Sequence, residues 1–279
     1  MSVDLPAHRL VTEPALETVV RLGMPHLAPQ GLSESWLLKR LGDLHWQMLA
    51  ARLGRPASAV EDREGNRVYA AFRQLRLEAA RLDRAGEDDA LVIRSRLWRL
   101  TRTQLISRHT LEIGGEALGR VTLVSAFIRR EGGSNRRVCR VEVPGLAELP
   151  LWGPPQPDPP SLDEGEGPSA EFAFTPCPPE DFNGAGFLYF PAYVAIAERA
   201  LYAAGWMPPA GLPVRERTVR FHANLDPGDR VEVRAHLLPA EPGELHVAAV
   251  LSRGSDGARM AEIVTRRHGA LAPAPLQAI

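Results

Sequence analysis

Polar residues stand directly before a helical segment in the second half of the chain. The stretch opens with Asp181, Asn183 and Gly184 and continues into an aromatic run that includes Tyr189. A turn that ends at a helix N-terminus and is backed by aromatic rings is suited to hold a polar ligand. Asn183 cannot act as a general base, but its amide can donate a hydrogen bond to an oxygen that gains negative charge. We therefore expect Asn183 to contact a ligand and Asp181, Gly184 and Tyr189 to help bind it.

A second candidate is a histidine in the strongest helical pattern of the chain. His45 lies in the segment GDLHW, beside a stripe of leucines, so we expect it to be buried or to line a cleft. Its ordinary pKa, near neutrality, would suit proton transfer. The alternative is a core histidine whose hydrogen bonds are satisfied within the protein. Asp43 is predicted to orient a neighbouring group or to contact the substrate.

Positive charge is concentrated around one glycine pair, Gly132 and Gly133, which is followed by Ser134, Asn135 and Arg136. The arginines near this pair are Arg129, Arg130, Arg136, Arg137 and Arg140. Arginines at this density could bind phosphate groups or an acidic protein surface. The alternative is a solvated hairpin tip, because Gly-Gly favours a tight turn. We retain Ser134, Asn135 and Arg136 as candidate substrate-binding residues.

The helix that carries His45 has clear start and stop signals. Ser33 is a favourable N-cap, and Gly54 followed by Pro56 should end the helix. Between these signals apolar residues recur at steps of three and four, namely Leu37, Leu38, Leu41, Leu44, Met48, Leu49 and Leu53. A second helix is predicted after Pro191, which suits a first helical turn.

Strand-like segments follow each helix. The predicted strands are 67–77, 90–100, 104–112, 120–130, 138–143, 172–175, 214–224, 230–238, 245–252 and 258–267. In 230–237 apolar and polar residues alternate, which is typical of a half-buried antiparallel strand. The first 22 residues show only weak helical periodicity, and we expect a lead-in segment there.

A segment rich in proline, glycine and acidic residues divides the chain. We interpret residues 149–170 as a linker between an N-terminal unit, 1–148, and a C-terminal unit, 171–279. Each unit combines one long helix with four or five antiparallel strands, so the fold class is α+β. One sheet with one helix leaves apolar surface exposed, so the units should pack together with a small-molecule site between them.

Composition narrows the classes of function. The net charge of −1 over 279 residues gives no reason to expect nucleic acid or an anionic membrane as a partner. No run approaches the roughly 18 apolar residues of a membrane helix, and acidic residues interrupt any signal-peptide core. Cys139 and Cys177 lack the spacing of metal ligands. We expect a reduced, cytoplasmic protein without a metal, and a loose tail after Gly269.

Two segments resemble the hot-dog fold of acyl-thioester enzymes, namely PGDRVEV at 227–233 and the turn and helix at 181–200. In that fold an antiparallel sheet wraps a long helix, and two copies share active sites at their interface. The resemblance implies a double hot-dog, with two antiparallel sheets that each wrap a long helix. The turn is most similar to that of 4-hydroxybenzoyl-CoA-type thioesterases, which carry a catalytic acid where this chain has Asn183. Hydrolysis by that mechanism is therefore disfavoured.

The first half resembles a narrower group, the bifunctional acyltransferase/decarboxylase family of polyketide biosynthesis known from the leinamycin pathway. The similar segments are GMPHLAPQGLSESWLLKRLGDLHW at 23–46, NRVYAAF at 66–72 and SAFIRREGGSNRR at 125–137. Members take methylmalonyl-CoA, decarboxylate it and deliver propionyl to an acyl carrier protein through a tyrosine. The resemblance places this nucleophile at Tyr69. A phenol of pKa about 10 needs a nearby donor or cation to act as phenolate; the alternative is a core aromatic with a satisfied hydroxyl.

The resemblance thus implies an enzyme with Tyr69, His45 and Asn183 as catalytic residues, an acyl-CoA substrate and an acyl carrier protein as partner. Coenzyme A enters as part of the substrate, and no other cofactor is expected. Alternatives are a hot-dog thioesterase, a dehydratase that uses His26, or a scaffold module that binds a carrier without chemistry. The spacing from His26 to a helix carboxylate does not fit the dehydratases. Whether two chains form a homodimer is left open.

Overall fold

The computed structural model describes residues 15–154, 167–207 and 211–268. The first half contains β1 (Ala15–Arg21), β2 (Leu27–Ala28), β3 (Gly31–Leu32), α1 (Glu34–Leu53), β4 (Tyr69–Glu78), β5 (Ala90–Arg99), β6 (Gln104–Ile113), β7 (Glu116–Glu131) and β8 (Ser134–Arg140). The second contains β9 (Ser169–Phe174), α2 (Pro178–Asp181), α3 (Phe190–Ala203), β10 (Val214–Phe221), β11 (Val231–Leu238), β12 (Glu244–Arg253) and β13 (Arg259–His268). Short 3-10 turns lie at Met24–His26, Ala57–Ala59 and Leu82–Arg84.

The strands form one large antiparallel sheet in the order β1-β5-β6-β7-β4-β10-β13-β12-β11-β9, with β8 paired to β7 and β2 paired separately to β3. Read outward from the centre, the second half repeats the strand order of the first, so the predicted duplication is present in the described residues. The prediction of two separate sheets was wrong, because β4 and β10 pair directly, with Leu77 opposite Arg217. This pairing joins the two halves edge to edge.

Helix α1 begins and ends where the sequence predicted. The Ser33 hydroxyl accepts a hydrogen bond from the Trp36 N–H at 3.3 Å, and Gly54 closes the helix in the left-handed conformation at a φ of 62°. The predicted stripe is buried against the sheet except for Leu53, which is half-buried. Burial of such side chains is the main source of stability for a helix in a folded domain.

The two long helices approach each other closely at Gly42. A Cβ atom added there would lie 2.8 Å from Cε1 of Phe190 and 3.0 Å from the Tyr189 hydroxyl. Phe190 begins α3, which has Pro191 in its first turn as predicted. The absence of a side chain at Gly42 therefore lets the start of α3 pack against the middle of α1.

The opening segment is a strand rather than a helical lead-in. Strand β1 pairs with β5 at the edge of the sheet, with Leu16 and Thr18 buried and Glu17 and Val19 exposed. This alternation has a period of two, and its short length hides it in the sequence. Residues 1–14 lie outside the described part of the chain.

The predicted linker is shorter at both ends. Leu149 is buried, and the Trp152 ring packs against Trp98 with centroids 5.0 Å apart, so the chain adheres to the first half through residue 152. At the other end, β9 already begins at Ser169. The remaining linker, 155–166, and the predicted tail after Gly269 fall outside the described residues.

Candidate active site

A cavity of about 660 Å³ lies where the first residues of β4, the β7–β8 hairpin, the end of β10 and the turn before α3 meet. The first half contributes the predicted site residues Asp43, Tyr69, Asn135 and Arg136 to its wall. The second half contributes the predicted residues Asn183, Gly184 and Tyr189. The structure thus brings together predicted site residues from both halves of the chain.

The turn before α3 fixes the orientation of the Asn183 side chain. Its Oδ1 accepts hydrogen bonds from the backbone N–H groups of Ala185, at 3.0 Å, and Phe187, at 3.1 Å. Because both partners are donors, the accepting atom must be the oxygen. Its Nδ2 has no hydrogen-bond partner among the described residues. The amide is therefore held in place with its donor available to a ligand.

Asp181 holds this turn from behind and does not line the cavity. Its carboxylate accepts from the Cys177 N–H at 2.8 Å, and its backbone oxygen accepts from the Tyr189 N–H at 2.8 Å. The side chain is buried. Its position does not support direct substrate binding, and it is a positioning residue for the turn instead.

Tyr69 lies against this turn with two arginine side chains close to its ring. Its ring packs edge-on against Phe187 at 5.3 Å, and the guanidinium groups of Arg67 and Arg130 lie 5.3 and 5.8 Å from its centroid. Arg130 also donates to the backbone oxygen of Ala185 at 2.7 Å, which ties the turn to β7. The Tyr69 hydroxyl has no hydrogen-bond partner within the described ranges, so it lacks the satisfied hydroxyl of an ordinary core tyrosine.

Two other tyrosines line the cavity but are poor nucleophiles. The Tyr189 hydroxyl lies 3.5 Å from the Lys39 backbone oxygen, and burial, with a smaller contribution from the Asp43 charge, raises the pKa of Tyr189 to about 12. Tyr193 donates to the Ala223 backbone oxygen at 2.9 Å, and burial raises the pKa of Tyr193 as well. Both phenols are therefore held in the neutral form.

The tip of the β7–β8 hairpin attaches to the second half. The Ser134 hydroxyl and the Asn135 N–H both donate to the Asp226 carboxylate at 2.7 Å. The Asn135 side chain donates to the backbone oxygens of Gly186, at 2.6 Å, and Leu225, at 2.8 Å, and Arg136 pairs with Asp226 and Asp229. These contacts already occupy the donors of the hairpin tip, and Ser134 does not line the cavity. Their geometry favours a structural role over direct substrate binding.

His45 is sealed away from the cavity. Its ring nitrogens contact the hydroxyls of Ser107, at 2.8 Å, and Ser125, at 2.9 Å. Ser107 continues to His109 at 2.9 Å, and His109 to Ser95 at 2.7 Å. All five residues have zero exposed surface. The geometry therefore argues against proton delivery by His45 and favours the alternative of a satisfied core histidine.

The two buried histidines make stability dependent on pH. Burial lowers the pKa of His45 to about 3 from 6.5, and burial together with the charge of His45 lowers that of His109 to about 3. Between pH 3 and pH 6.5, approximately, both histidines are protonated in the unfolded chain and neutral in the folded chain, so the unfolded chain binds more protons. We expect full stability above about pH 6.5 and a loss of about 2 kcal/mol per histidine between about pH 7 and pH 5. Denaturant unfolding at both pH values measures the loss.

A matched pair of substitutions controls this pH experiment. His109→Gln should halve the loss, whereas His268→Gln, at an exposed position, should leave it unchanged. An unfolding free energy that stays constant from pH 7 to pH 5 would show that neither histidine is protonated on unfolding.

Sequence reasoning missed His222 and Asn224, which line the cavity just after β10. The Nε2 of His222 lies 3.4 Å from the Glu262 carboxylate, and an imidazole beside a carboxylate can accept or return a proton. Asn224 pairs with the Leu188 backbone through both side-chain atoms, at 3.0 and 3.1 Å. Only their position at the end of a predicted strand could have drawn attention to them.

Three further observations on the described residues concern metal ions, membranes and His26. Within them, no group of three or more His, Cys, Asp or Glu side chains is placed to hold a metal ion. Also within them, no helix is long and apolar enough to span a membrane. His26 accepts from the Gly23 N–H at 2.9 Å, packs edge-on against Trp36 and does not line the cavity.

No protein-family model and no curated protein matches this sequence. Solved structures do match. A candidate oleoyl thioesterase from Lactobacillus plantarum aligns over 95% of this chain and 98% of its own, with 14% identity and a TM-score of 0.75. A 12:0-ACP thioesterase from Umbellularia californica aligns over 92% and 95%, with 10% identity and a TM-score of 0.69. An acyl-ACP thioesterase from Bacteroides thetaiotaomicron aligns over 91% and 98%, with 14% identity and a TM-score of 0.66.

These similarities show that the chain has the hot-dog fold. Each structure aligns along nearly the whole chain, so both halves and the junction at β4 and β10 belong to the shared architecture. At 10 to 14% identity the likeness concerns the fold and leaves the reaction open.

Proposed function

We propose that this protein is a double hot-dog enzyme that decarboxylates malonyl- or methylmalonyl-CoA and transfers the remaining acyl group to an acyl carrier protein. One observation carries the proposal. Tyr69, from the first half, and Asn183, from the second, line the same cavity, each with a polar group that has no partner within the described residues. The similar structures are described as thioesterases, which supports an acyl thioester as the substrate class.

The cavity can support both steps. In the first, the substrate carboxylate leaves as carbon dioxide, and its bonding electrons form an enolate whose oxygen accepts a hydrogen bond from Asn183 Nδ2. A proton then reaches the α-carbon of the enolate. His222, which lines the cavity, replaces His45 as the candidate donor of this proton. If His222 is the donor, His222→Gln should change the pH profile of product formation. Asp43 is the predicted substrate-binding residue that places a carboxylate on the cavity wall. Its carboxylate forms an ion pair with Arg40 at 2.8 Å.

In the second step the Tyr69 oxygen attacks the thioester carbonyl, and the coenzyme A thiolate leaves. The thiol of the carrier then attacks the tyrosyl ester, which releases Tyr69 and forms the new thioester. The guanidinium groups of Arg67 and Arg130 lie 5.3 and 5.8 Å from the centroid of the Tyr69 ring, so both side chains stand beside the proposed nucleophile.

A mass measurement on the carrier tests the proposal. The protein is incubated with methylmalonyl-CoA and a phosphopantetheinylated carrier, and the carrier is then weighed by mass spectrometry. We expect a gain of one propionyl group. A methylmalonyl gain would indicate transfer without decarboxylation, and an unchanged carrier would contradict the proposal.

Thioester hydrolysis is the second candidate, because the three similar structures are described as thioesterases. It would release a free acid from acyl-CoA without any carrier. The neutral Asn183 at the turn disfavours it, since an amide cannot activate water as a carboxylate does. Quantifying free acid in the same reaction distinguishes the two functions.

Asn183 offers a specific test of the donor role. Asn183→Asp retains the oxygen that accepts from Ala185 and Phe187, so the turn should persist, but it replaces the donor with a negative oxygen. We expect kcat for decarboxylation to fall by about 10² to 10³-fold, as for the loss of one oxyanion donor. Carbon dioxide release measures the rate. Asn183→Ala, which also loses the turn contacts, should be no more active, and a fully active Asn183→Asp would contradict the role.

A further inference from the structure

Two of the five arginines near the glycine pair are neutralised by carboxylates within the protein. Arg129 pairs with Asp62 at 2.8 Å and with Glu64 at 2.7 Å. Arg136 pairs with Asp226 and Asp229. A guanidinium that already holds carboxylates has little capacity left for a second anion. These residues do not form the anion site that the sequence suggested.

Arg140, which belongs to the same predicted group, differs from these two, and so do two further arginines on the cavity wall. Arg67, Arg73 and Arg140 line the cavity, and none of them has a carboxylate partner in the part of the chain that the structure describes. Arg67 and Arg140 are exposed, which places them at the mouth, and Arg73 is half-buried. All three side chains line one concave space, so the alternative of a solvated hairpin tip does not apply to them.

Strand geometry explains why these side chains converge. Tyr69 lies opposite Ile128 on β7, which lies opposite Arg140 on β8, so the three residues form one row across the sheet. With strands about 4.8 Å apart, Arg140 is about 10 Å from Tyr69 along this row. Arg73 stands at the β-bulge of β4, the register shift between Phe72 and Gln74. The bulge adds a residue to the strand beside the cavity.

The charges of Arg73 and Arg140 are close enough to interact. Burial lowers the pKa of Arg73, and repulsion from Arg140 lowers it further. Arg73 also donates to the His222 backbone oxygen at 3.2 Å, which fixes its position at the end of β10. Two like charges held together at the mouth of a cavity are unfavourable unless an anion binds between them.

We propose that Arg73 and Arg140 form a phosphate-binding site at the mouth of the cavity, which holds the phosphorylated arm of the thioester substrate, while Arg67 stays beside the Tyr69 ring. The inference rests on the proposed function, because it assigns the arm that positions the acyl group near Tyr69. Coenzyme A and a carrier-bound phosphopantetheine arm both supply such phosphates. The guanidinium geometry suits both, since arginine pairs bidentately with phosphate oxygens.

Calorimetric titration with three unacylated probes tests the site. Coenzyme A, 4′-phosphopantetheine and pantetheine differ in their phosphates and need no chemistry to bind. We expect coenzyme A to bind at least about 10-fold more tightly than pantetheine, as charge-assisted hydrogen bonds imply. The double variant Arg73→Gln/Arg140→Gln should lose this preference but bind pantetheine like the wild type. Thermal melting confirms that it folds.

The chain provides a matched control. Arg137 lies on β8 between Arg136 and Val138, is exposed, and does not line the cavity. Arg137→Gln removes the same charge and should change coenzyme A binding by less than about 2-fold. An equal loss in this control, wild-type affinity in the double variant, or no preference for phosphate in the wild type would overturn the site.

The probes also separate this inference from the proposed function. If 4′-phosphopantetheine binds as tightly as coenzyme A, the arginines hold the phosphate shared with the carrier arm; weaker binding assigns them to the nucleotide phosphates. A wild type that binds coenzyme A through these arginines but never acylates a carrier retains the site and loses the proposed function. If the wild type acylates the carrier but the double variant binds coenzyme A as tightly as the wild type, the proposed function is retained and the phosphate site is lost.

Discussion

Replacing Tyr69 with phenylalanine is expected to abolish acyl loading of the carrier, with a loss of at least about 10³-fold. The substitution retains the ring that packs against Phe187 and lies beside Arg67 and Arg130, and it removes only the hydroxyl. Because that oxygen forms the tyrosyl ester, no other group of the side chain can substitute for it. Carrier acylation in single-turnover reactions measures the effect.

The other tyrosines provide controls for this result. Tyr202→Phe, at an exposed position on α3, should load the carrier at the wild-type rate. Tyr189→Phe tests the competing nucleophile in the same cavity. Wild-type loading by Tyr69→Phe, together with loss in Tyr189→Phe, would move the acyl group to Tyr189 and end the assignment of Tyr69.

Replacing Arg217 with methionine is expected to lower the free energy of unfolding by about 3 to 5 kcal/mol. Its side chain is 1% exposed and pairs with Glu34 on α1, at 2.8 Å, and with Glu198 on α3, at 2.7 Å. Burial opposes ionisation of Glu198, but the charges of Arg217 and Arg267 outweigh it and hold the pKa of Glu198 below its usual value. Removing Arg217 leaves Glu34 without a buried partner. Denaturant unfolding measures the loss.

An exposed pair gives the matched control for this prediction. Arg234→Met breaks the contact with Glu171, where both side chains are more than half exposed, and should cost at most about 1 kcal/mol. Similar losses of unfolding free energy in Arg217→Met and Arg234→Met would show that the buried ion pairs of Arg217 stabilise the fold no more than an exposed ion pair does. The effect of Arg217→Met should also shrink in a Glu34→Gln background, because the two residues interact directly.

The buried ionic cluster of Arg217, Glu34, Glu198 and Arg267 lies where β10 meets the start of α1, whereas the cavity lies where β4 meets the start of α3. Phe72 on β4 contacts Phe190, the first residue of α3, with ring centroids 4.3 Å apart. Strand β10 and helix α1 hold the equivalent positions in the repeated strand order, and there Arg217 contacts Glu34, the first residue of α1. One copy of the repeated architecture thus carries aromatic residues beside a cavity, and the other carries paired charges.

Local signals predicted much of this fold. Ser33 and Gly54 bound α1 because capping depends on residues next to the helix, and the alternation in 230–237 predicted β11 because a strand has a period of two. The joining of β4 to β10 could not be predicted in this way. It pairs residues 140 positions apart, such as Leu77 with Arg217, and neither strand marks its edge partner locally.

For the candidate site, too, local signals could be predicted from the sequence and long-range contacts could not. The sequence of the turn indicated Asn183, and in the structure it lines the same cavity as Tyr69. The surroundings of His45 come from Ser107 and Ser125, 62 and 80 positions away, so the sequence could not show that both ring nitrogens are occupied. Asp226 likewise captures the hairpin tip through Ser134, 92 positions away. Long-range partners decide which polar residues remain free for chemistry.

The mass of the protein itself, measured after brief incubation with methylmalonyl-CoA in the absence of any carrier, tests the covalent role of Tyr69 most directly. We expect a propionyl group on the peptide that contains Tyr69, and this group should disappear when carrier is supplied. Release of free acid with no acylated peptide, or an acyl group on another residue, would contradict it.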